Sequence, residues 1–467
     1  MALLVVLAAL VFLMVVAYRG HSVILFAPVA ALGAVLLTDP SLVAPMFTGL
    51  FMDKMVGFLK LYFPVFVLGA VFGKLIELSG FSRAIVSAAI RVVGAQRAIL
   101  SIVLVCALLT YGGVSLFVVV FAVYPFAAEL FRQADIPKRL IPGTIALGAF
   151  TFTMDALPGT PQIQNIIPSA FFGTDGWAAP WLGTIGAIAI LIAGLSYLEW
   201  RRRAAASKGE GYGDAAALVN EPAAFTGERL ANPLVALLPL VLVGVVNKLL
   251  TNAIPGWYGA EHAFVPSVIG SPAPVVQEIS KVTAIWAVEG ALLAGIAAVL
   301  VLAWKPVVTR FAEGTKSAIG GALLASMNTA SEYGFGAVIA ALPGFLIVAE
   351  TLRAIPDPLV NEAVTVTALA GITGSASGGM SIALAAMAET FIANANAAGI
   401  PMEVLHRVAS MASGGMDTLP HNGAVITLLA VTGLTHRQSY KDIFAITLIK
   451  TVAVFVVIGV FYATGVV

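Results

Sequence analysis

The sequence predicts an all-α polytopic membrane protein built as two inverted repeats, each holding a re-entrant hairpin and a broken, unwound transmembrane helix. Three observations lead there: an apolar composition, a polar break that occurs in both halves, and basic residues whose placement reverses between the halves. Of 467 residues, 60% are hydrophobic and 10% charged, with a mean hydropathy of +0.99. A soluble domain carries about 25% charged residues, so this composition belongs in a bilayer. The net charge of +1 gives no reason to expect a nucleic-acid partner. The single cysteine, Cys106, excludes an internal disulfide and any cysteine-based metal site, and reads as packing.

Apolar runs able to cross about 30 Å of hydrocarbon recur at Ala2–Ala17, Val23–Thr38, Leu61–Leu78, Trp181–Leu198, Pro233–Leu250, Thr283–Ala303 and Ile443–Tyr462. The first reads as a retained helix with its amino end outside, because Arg19 follows the apolar stretch instead of preceding it as in a signal peptide. Residues 1–200 and 231–467 form the two repeats. Residues 201–230, opening with Arg201, Arg202 and Arg203, form a polar linker.

The repeats align at three places in the same order. Gly80-Phe81 and Gly344-Phe345 are 264 positions apart, Gly112-Gly113 and Gly378-Gly379 are 266 apart, and Met154-Asp155 and Met416-Asp417 are 262 apart. The last pair opens the tracts MDALPGTPQI and MDTLPHNGAVI. Irregular polar sequence survives in hydrocarbon only where it lines a protein-enclosed cavity, and a matched pair of such breaks points to a transporter's binding site.

Orientation follows from the basic residues. With the linker cytoplasmic, the run at 98–131 has Arg91 and Arg97 on one flank and Arg132, Lys138 and Arg139 on the other. Both flanks belong inside, so the run is a re-entrant hairpin with its tip at Tyr111–Ser115. The broken helix at 142–168 then leads outward. In the second half the hairpin at 361–397 enters from outside with its tip at Gly374–Gly379, and the broken helix at 404–433 runs inward to His436, Arg437 and Lys441. Both termini fall outside.

The candidate binding residues are those of the breaks and tips. Pro158 and Pro420 remove a backbone donor, and Gly159 and Gly423 permit a tight path. Half-helix ends offer free amides to an anion or carbonyls to a cation. Thr151, Thr153, Thr160, Gln162, Asn165, Thr418 and Asn422 add neutral hydrogen-bonding groups, and Gly112, Gly113, Ser115, Thr373, Ser375, Ser377, Gly378, Gly379 and Ser381 sit at the tips. Ordinary proline kinks and close-packing glycines are the alternative.

Four residues are candidates for proton or ion coupling. Asp155 and Asp417 would hold a cation or proton, or would cap broken helix ends. His421 is a natural proton carrier, or a satisfied core histidine. Glu332 sits within a long glycine-interrupted helix, where a structural ion pair is the competing role. Lys74 and Glu77 are spaced to pair with each other, and Lys450 is placed to snorkel. With no arginine or lysine read in the breaks, a singly charged substrate is favoured over a multiply charged one. No His-Glu-x-x-His or Gly-x-Ser-x-Gly grouping is present, so an enzyme is not expected, nor a cofactor or metal.

The tracts TGSASGGMSIAL (Thr373–Leu384) and GGMDTLPHNGAVITLLAVTGLTH (Gly414–His436) resemble the gluconate permease (GntP) family of the ion transporter superfamily, with the nearest likeness to permeases for 3-hydroxybutyrate and related short hydroxy acids. The resemblance implies an inner-membrane secondary transporter of elevator type. It would import a small hydroxy-monocarboxylate with protons, as a homodimer in membrane lipid, through a moving transport domain. Sodium-coupled relatives carry Ser-Asn-Thr at the hairpin tips, where this chain has Tyr111-Gly112-Gly113 and Ser375-Ala376-Ser377. A sodium-coupled carboxylate symporter or a cation/proton antiporter of the same architecture is the alternative.

Overall fold

The computed structural model describes residues 2–19, 21–94, 97–114, 116–213, 219–221, 230–265, 274–345, 347, 355–420 and 422–467. The protein is an all-α polytopic membrane protein. Among the described residues six helical stretches are long and apolar enough to cross a membrane.

The first half comprises α1 (Ala2–Tyr18), α2 (Val23–Thr38), short helical turns over residues 40–51 that lead into α3 (Met52–Leu78), and α4 (Phe81–Val93). A helix pair follows, α5 (Ala98–Tyr111) and α6 (Leu116–Gln133). Then come three pieces of one interrupted helix, α7 (Ile141–Ala149), the single turn α8 (Phe152–Asp155) and α9 (Ile163–Phe172), before the long α10 (Pro180–Ala206). The second half has α11 (Pro233–Tyr258), α12 (Thr283–Leu302) and α13 (Phe311–Ala340). Its helix pair is α14 (Pro358–Thr373) and α15 (Ala376–Ala398), its interrupted helix is α16 (Met402–Ser413) and α17 (Gly423–Thr432), and the long α18 (His436–Thr464) closes the chain. Helix pair, interrupted helix and long helix thus come in the same order twice.

Lengths place the interruptions. At 1.5 Å per residue, α7 and α9 span about 14 and 15 Å, and α16 and α17 about 18 and 15 Å. Each piece covers about half of a 30 Å hydrocarbon layer, so the breaks at 150–162 and 414–422 fall near mid-depth.

Contacts at the two ends fix the directions. Where α7 begins, the Arg139 guanidinium meets Asp442 in the first turns of α18, and Ser439 Oγ donates to the Arg139 carbonyl at 2.6 Å. α17 ends at this same face, since Asn220 Nδ2 donates to the Ala430 carbonyl at 2.8 Å and Tyr124 Oη of α6 contacts both Asn220 and Thr432 carbonyls. At the opposite face Thr174, just past α9, hydrogen-bonds His406 Nδ1 near the start of α16 at 2.6 Å. The two interrupted helices therefore lie antiparallel, α9 ending where α16 begins.

Each helix pair reaches inward to a break and turns back. Gly113 supplies the positive φ of +92° at the first turn, and Gly374 the +66° at the second. Ser375 then caps α15 by accepting the Gly378 amide at 3.0 Å. Gly379 lies so close to the Ala370 backbone that a Cβ would overlap it.

Two features go beyond the sequence reading. A short antiparallel ribbon, β1 (Glu261–Phe264) with β2 (Val275–Glu278), stands exposed after α11; four-residue strands leave no period to detect. The described part of the polar linker is also docked rather than free. Glu221 accepts ion pairs from Lys138 and Arg132, each at 2.6 Å, and Glu210 pairs with Arg139 at 2.6 Å. Lys74 and Glu77 pair at 2.8 Å, as their spacing predicts.

Candidate transport site

The first break is held open by its own side chains. Thr151 and Thr153 donate to the Leu147 and Gly148 carbonyls left without helical partners, and Thr160 Oγ1 donates to the Thr153 carbonyl at 2.7 Å. Gly159, at φ +76°, lies against the Trp177 ring where a side chain would collide, and its amide donates to the Gly176 carbonyl at 2.7 Å. Asn165 Nδ2 donates to the Thr160 and Gly176 carbonyls. Thr153 and Thr160 are thus committed to shaping the break.

In the second break Asp417 pairs with Lys450 of α18 at 2.5 Å, and Thr418 hydrogen-bonds Thr447 one turn earlier on the same helix. Tyr440 Oη donates to the Thr418 carbonyl at 3.1 Å. Asn422 caps α17 through the Val425 amide at 2.9 Å.

The tips are latched to the breaks in a matched way. Gln162, N-cap of α9, donates its amide to the Thr110 carbonyl at 2.7 Å, at the end of the first hairpin arm. Asn422, N-cap of α17, donates to the Gly374 carbonyl at 2.7 Å in the second. Tyr111 Oη adds a bond to the Pro158 carbonyl at 2.9 Å. At position 112 the Leu240 side chain fills the space a Cβ would need, and Gly113 approaches Leu292 and Pro161.

Two buried cations join the halves across mid-depth. Lys450, 2% exposed, donates to the Phe150 carbonyl at 3.0 Å as well as to Asp417. Arg407, fully buried, donates to Asn165 Oδ1 at 2.9 Å, to the Asp155 carbonyl at 3.2 Å and to the Ala178 carbonyl at 2.7 Å. Ser410 Oγ adds a bond to the Asp155 carbonyl at 2.8 Å. Two sequence expectations are corrected here. Lys450 does not snorkel; the packing of α18 against α16 and α7 holds it at the break. Cations do reach the breaks, Arg407 from within the broken helix itself and Lys450 from the helix behind it.

The acidic candidates differ. Asp155 is 1% exposed, and neither carboxylate oxygen has a hydrogen-bond partner. Its Oδ2 sits against Gly414, where any Cβ would overlap it. The capping role does not hold for Asp155, since buried polar groups are nearly always partnered and this one is not. Glu332 of α13 makes no ion pair among the described residues. Its Oε2 is unpartnered and packs against Gly378 at the second hairpin tip, where Thr329 also meets Ser377 Oγ at 3.3 Å. Ser375 lies within hydrogen-bonding reach of the same carboxylate. The structure therefore brings Asp155 and Asp417 into one charged cluster, keeps Thr153 and Thr160 within the first break, holds Thr418 against Thr447, and sets Asn422 on Gly374 and Glu332 with Ser375, Ser377, Gly378 and Gly379 at the second tip. Ser115, His421 and the side chain of Thr373 lie outside the described residues. Arg407, His406, whose Nε2 is unpartnered, and Glu362 of α14, fully buried with both oxygens unpartnered, were the residues sequence reasoning missed; ionisable side chains inside membrane-embedded helices were the available signal.

The comparisons with known proteins fit this geometry. The chain is 61% identical over 475 aligned positions, covering 100% of both chains, to the uncharacterized transporter YxjC of Bacillus subtilis (strain 168). The chain belongs to this transporter family. No protein-family model matches it. The crystal structure of the Alcanivorax borkumensis YdaH transporter, which has an unusual topology, aligns with a TM-score of 0.50 and 15% identity, over 92% of this chain and 90% of that one. At that identity the likeness is one of fold. A multi-pass membrane transporter with a charged, enclosed centre between two antiparallel broken helices is the result.

Proposed function

We propose that this transporter imports a small hydroxy-monocarboxylate, of the 3-hydroxybutyrate or gluconate kind, by proton symport with alternating access. The observation that carries the reading is the pair of buried cations at the meeting of the two breaks. Lys450 is balanced by Asp417, whereas Arg407 is held by neutral carbonyl and amide oxygens. Among the described residues Arg407 has no salt-bridge partner, and one such cation suits one carboxylate. The surrounding hydroxyls and amides suit hydroxyl groups on the same substrate. The GntP-like tracts at 373–384 and 414–436 coincide with the second tip and second break, which supports the same substrate class.

In this reading the hairpins and broken helices move as the transport unit within a homodimer, the linker is cytoplasmic and both termini are outside. The unpartnered Asp155 carboxylate also favours a second reading, sodium-coupled carboxylate symport or cation/proton antiport.

A ligand thermal-shift screen of the purified protein across pH separates these. Ligand that binds the native state raises apparent stability by mass action. Hydroxy-monocarboxylates should raise the unfolding temperature more at acidic than at neutral pH, in sodium and choline buffers alike. A shift that requires sodium would favour the second reading, and no shift with any hydroxy or sugar acid would contradict the proposal.

A further inference from the structure

We infer, resting on the proton-symport reading, that Asp155 is the residue that carries the coupling proton, and that the charge of the Asp155, Asp417, Lys450 and Arg407 cluster makes the coupling obligatory and electroneutral. The cluster is closed to water, with exposures of 1, 4, 2 and 0% in that order. Lys450 of α18, Asp417 of the second break and Arg407 of α16 are the charged groups that act on the Asp155 carboxylate. The other elements packed on α8, namely α5, α7, α9 and the near part of α10, carry no charged side chain toward it; the charges of α10 begin at Glu199. Asp175 and Tyr111 also act on Arg407; Asp175 is part-exposed, where water screens its charge, and accepts the Trp177 amide at 2.7 Å.

Two buried carboxylates share one ammonium here. Lys450 has taken Asp417, and Asp155 is left with both oxygens unpartnered. A buried carboxylate in that position is stabilised by a proton, taken from the outer water and returned to the inner water without any other bond changing. The charge of the four groups then sorts the carrier's states. With Asp155 ionised and no substrate, two negative and two positive charges cancel. With Asp155 protonated the cluster is +1, and a bound monocarboxylate brings it back to zero. Proton alone or anion alone leaves one uncompensated charge, which is expensive in a membrane interior. Only the empty and the doubly loaded states are free to reorient, so neither solute leaks without the other.

The test uses wild type and Asp155→Asn in proteoliposomes with labelled 3-hydroxybutyrate, with Glu362→Gln as the comparison variant, since Glu362 of α14 is another fully buried carboxylate with both oxygens unpartnered. For one-to-one coupling, a tenfold proton gradient, acid outside, should drive about tenfold accumulation by wild type, and imposing a potassium-diffusion potential of either sign should leave its initial rate unchanged. Asp155→Asn, which mimics the protonated group, should keep substrate exchange and lose gradient-driven accumulation, while Glu362→Gln keeps both. An Asp155→Asn protein that accumulates like wild type, or that loses exchange while still inserted and folded, overturns the inference. So does uncoupling by Glu362→Gln instead, or wild-type uptake driven by potential. If Asp155→Asn does not insert, the potential measurement on wild type decides alone. Failure of wild type to accumulate any hydroxy-monocarboxylate under a pH gradient would instead remove the proposed function beneath it.

Discussion

Lys450 of the last helix lies 2.5 Å from Asp417 and 3.0 Å from the Phe150 carbonyl, so one buried ammonium ties together the breaks of both repeats. Its first partner is 33 positions away in sequence and its second 300. The fold converts a duplicated local oddity into a single charged centre.

That pair sets the first prediction. Removing one member of a buried ion pair strands the other, at a cost of about 3–5 kcal/mol. Asp417→Asn and Lys450→Met should each lower the unfolding temperature of the detergent-solubilised protein. The double variant should recover most of the loss without recovering transport. Additive losses in the double variant would show that the two side chains act separately.

The hairpin latches differ in a measurable way. Gln162 contributes one short hydrogen bond, to Thr110, worth about 1 kcal/mol, and its 3.4 Å reach to the Val114 carbonyl adds little. Asn422 contributes an equivalent bond and also caps α17, which adds about 1 kcal/mol. Asn422→Ala should therefore destabilise about twice as much as Gln162→Ala. Equal thermal shifts would contradict the capping contribution.

Glycine contacts predict local steric effects. A Cβ at Gly378 overlaps Glu332 Oε2, and one at Gly414 overlaps Asp155 Oδ2. Gly378→Ala should reduce uptake and stability, and Glu332→Ala in the same protein should restore stability by opening the space. Gly414→Ala should not be rescued by Glu332→Ala. A double-mutant cycle by thermal unfolding reads both.

The docked linker responds to acid with a definite sign. Three partners, Lys138, Arg132 and Tyr212, hold Glu221 below the ordinary carboxylate range despite its partial burial, and the Arg139 guanidinium lowers Glu210. A carboxylate whose folded value is depressed stabilises fully above its unfolded value, near 4.5, and that stabilisation is lost as pH falls through the folded value. Hydrogen exchange over residues 207–213 should be slow and flat above pH 5, after correction for intrinsic rates, and should accelerate below about 4.5. Glu221→Gln should exchange fast throughout.

Much of the fold was legible because its signals are local. Proline, glycine and aspartate inside apolar runs marked both breaks, and Gly112-Gly113 and Gly374–Gly379 marked both turns. The charge distribution gave the inverted order that Arg139, Thr174 and their partners display. The site was less legible. MDALP and MDTLP are nearly the same tract, yet Asp417 has an ammonium and Asp155 has none, because the partner comes from α18 and not from local sequence. Arg407 drew no reading in the sequence, because its partners at positions 155, 165 and 178 exist only once α16 lies antiparallel to α9.

The central claim is that this charged centre moves a hydroxy-monocarboxylate with protons. The most direct measurement is accumulation of labelled 3-hydroxybutyrate and gluconate by wild-type proteoliposomes, with a pH gradient and a sodium gradient imposed separately. Saturable accumulation against a gradient, driven by external acid and indifferent to sodium, is the predicted result. Accumulation that follows sodium alone, or no uptake of either acid under both gradients, would contradict it.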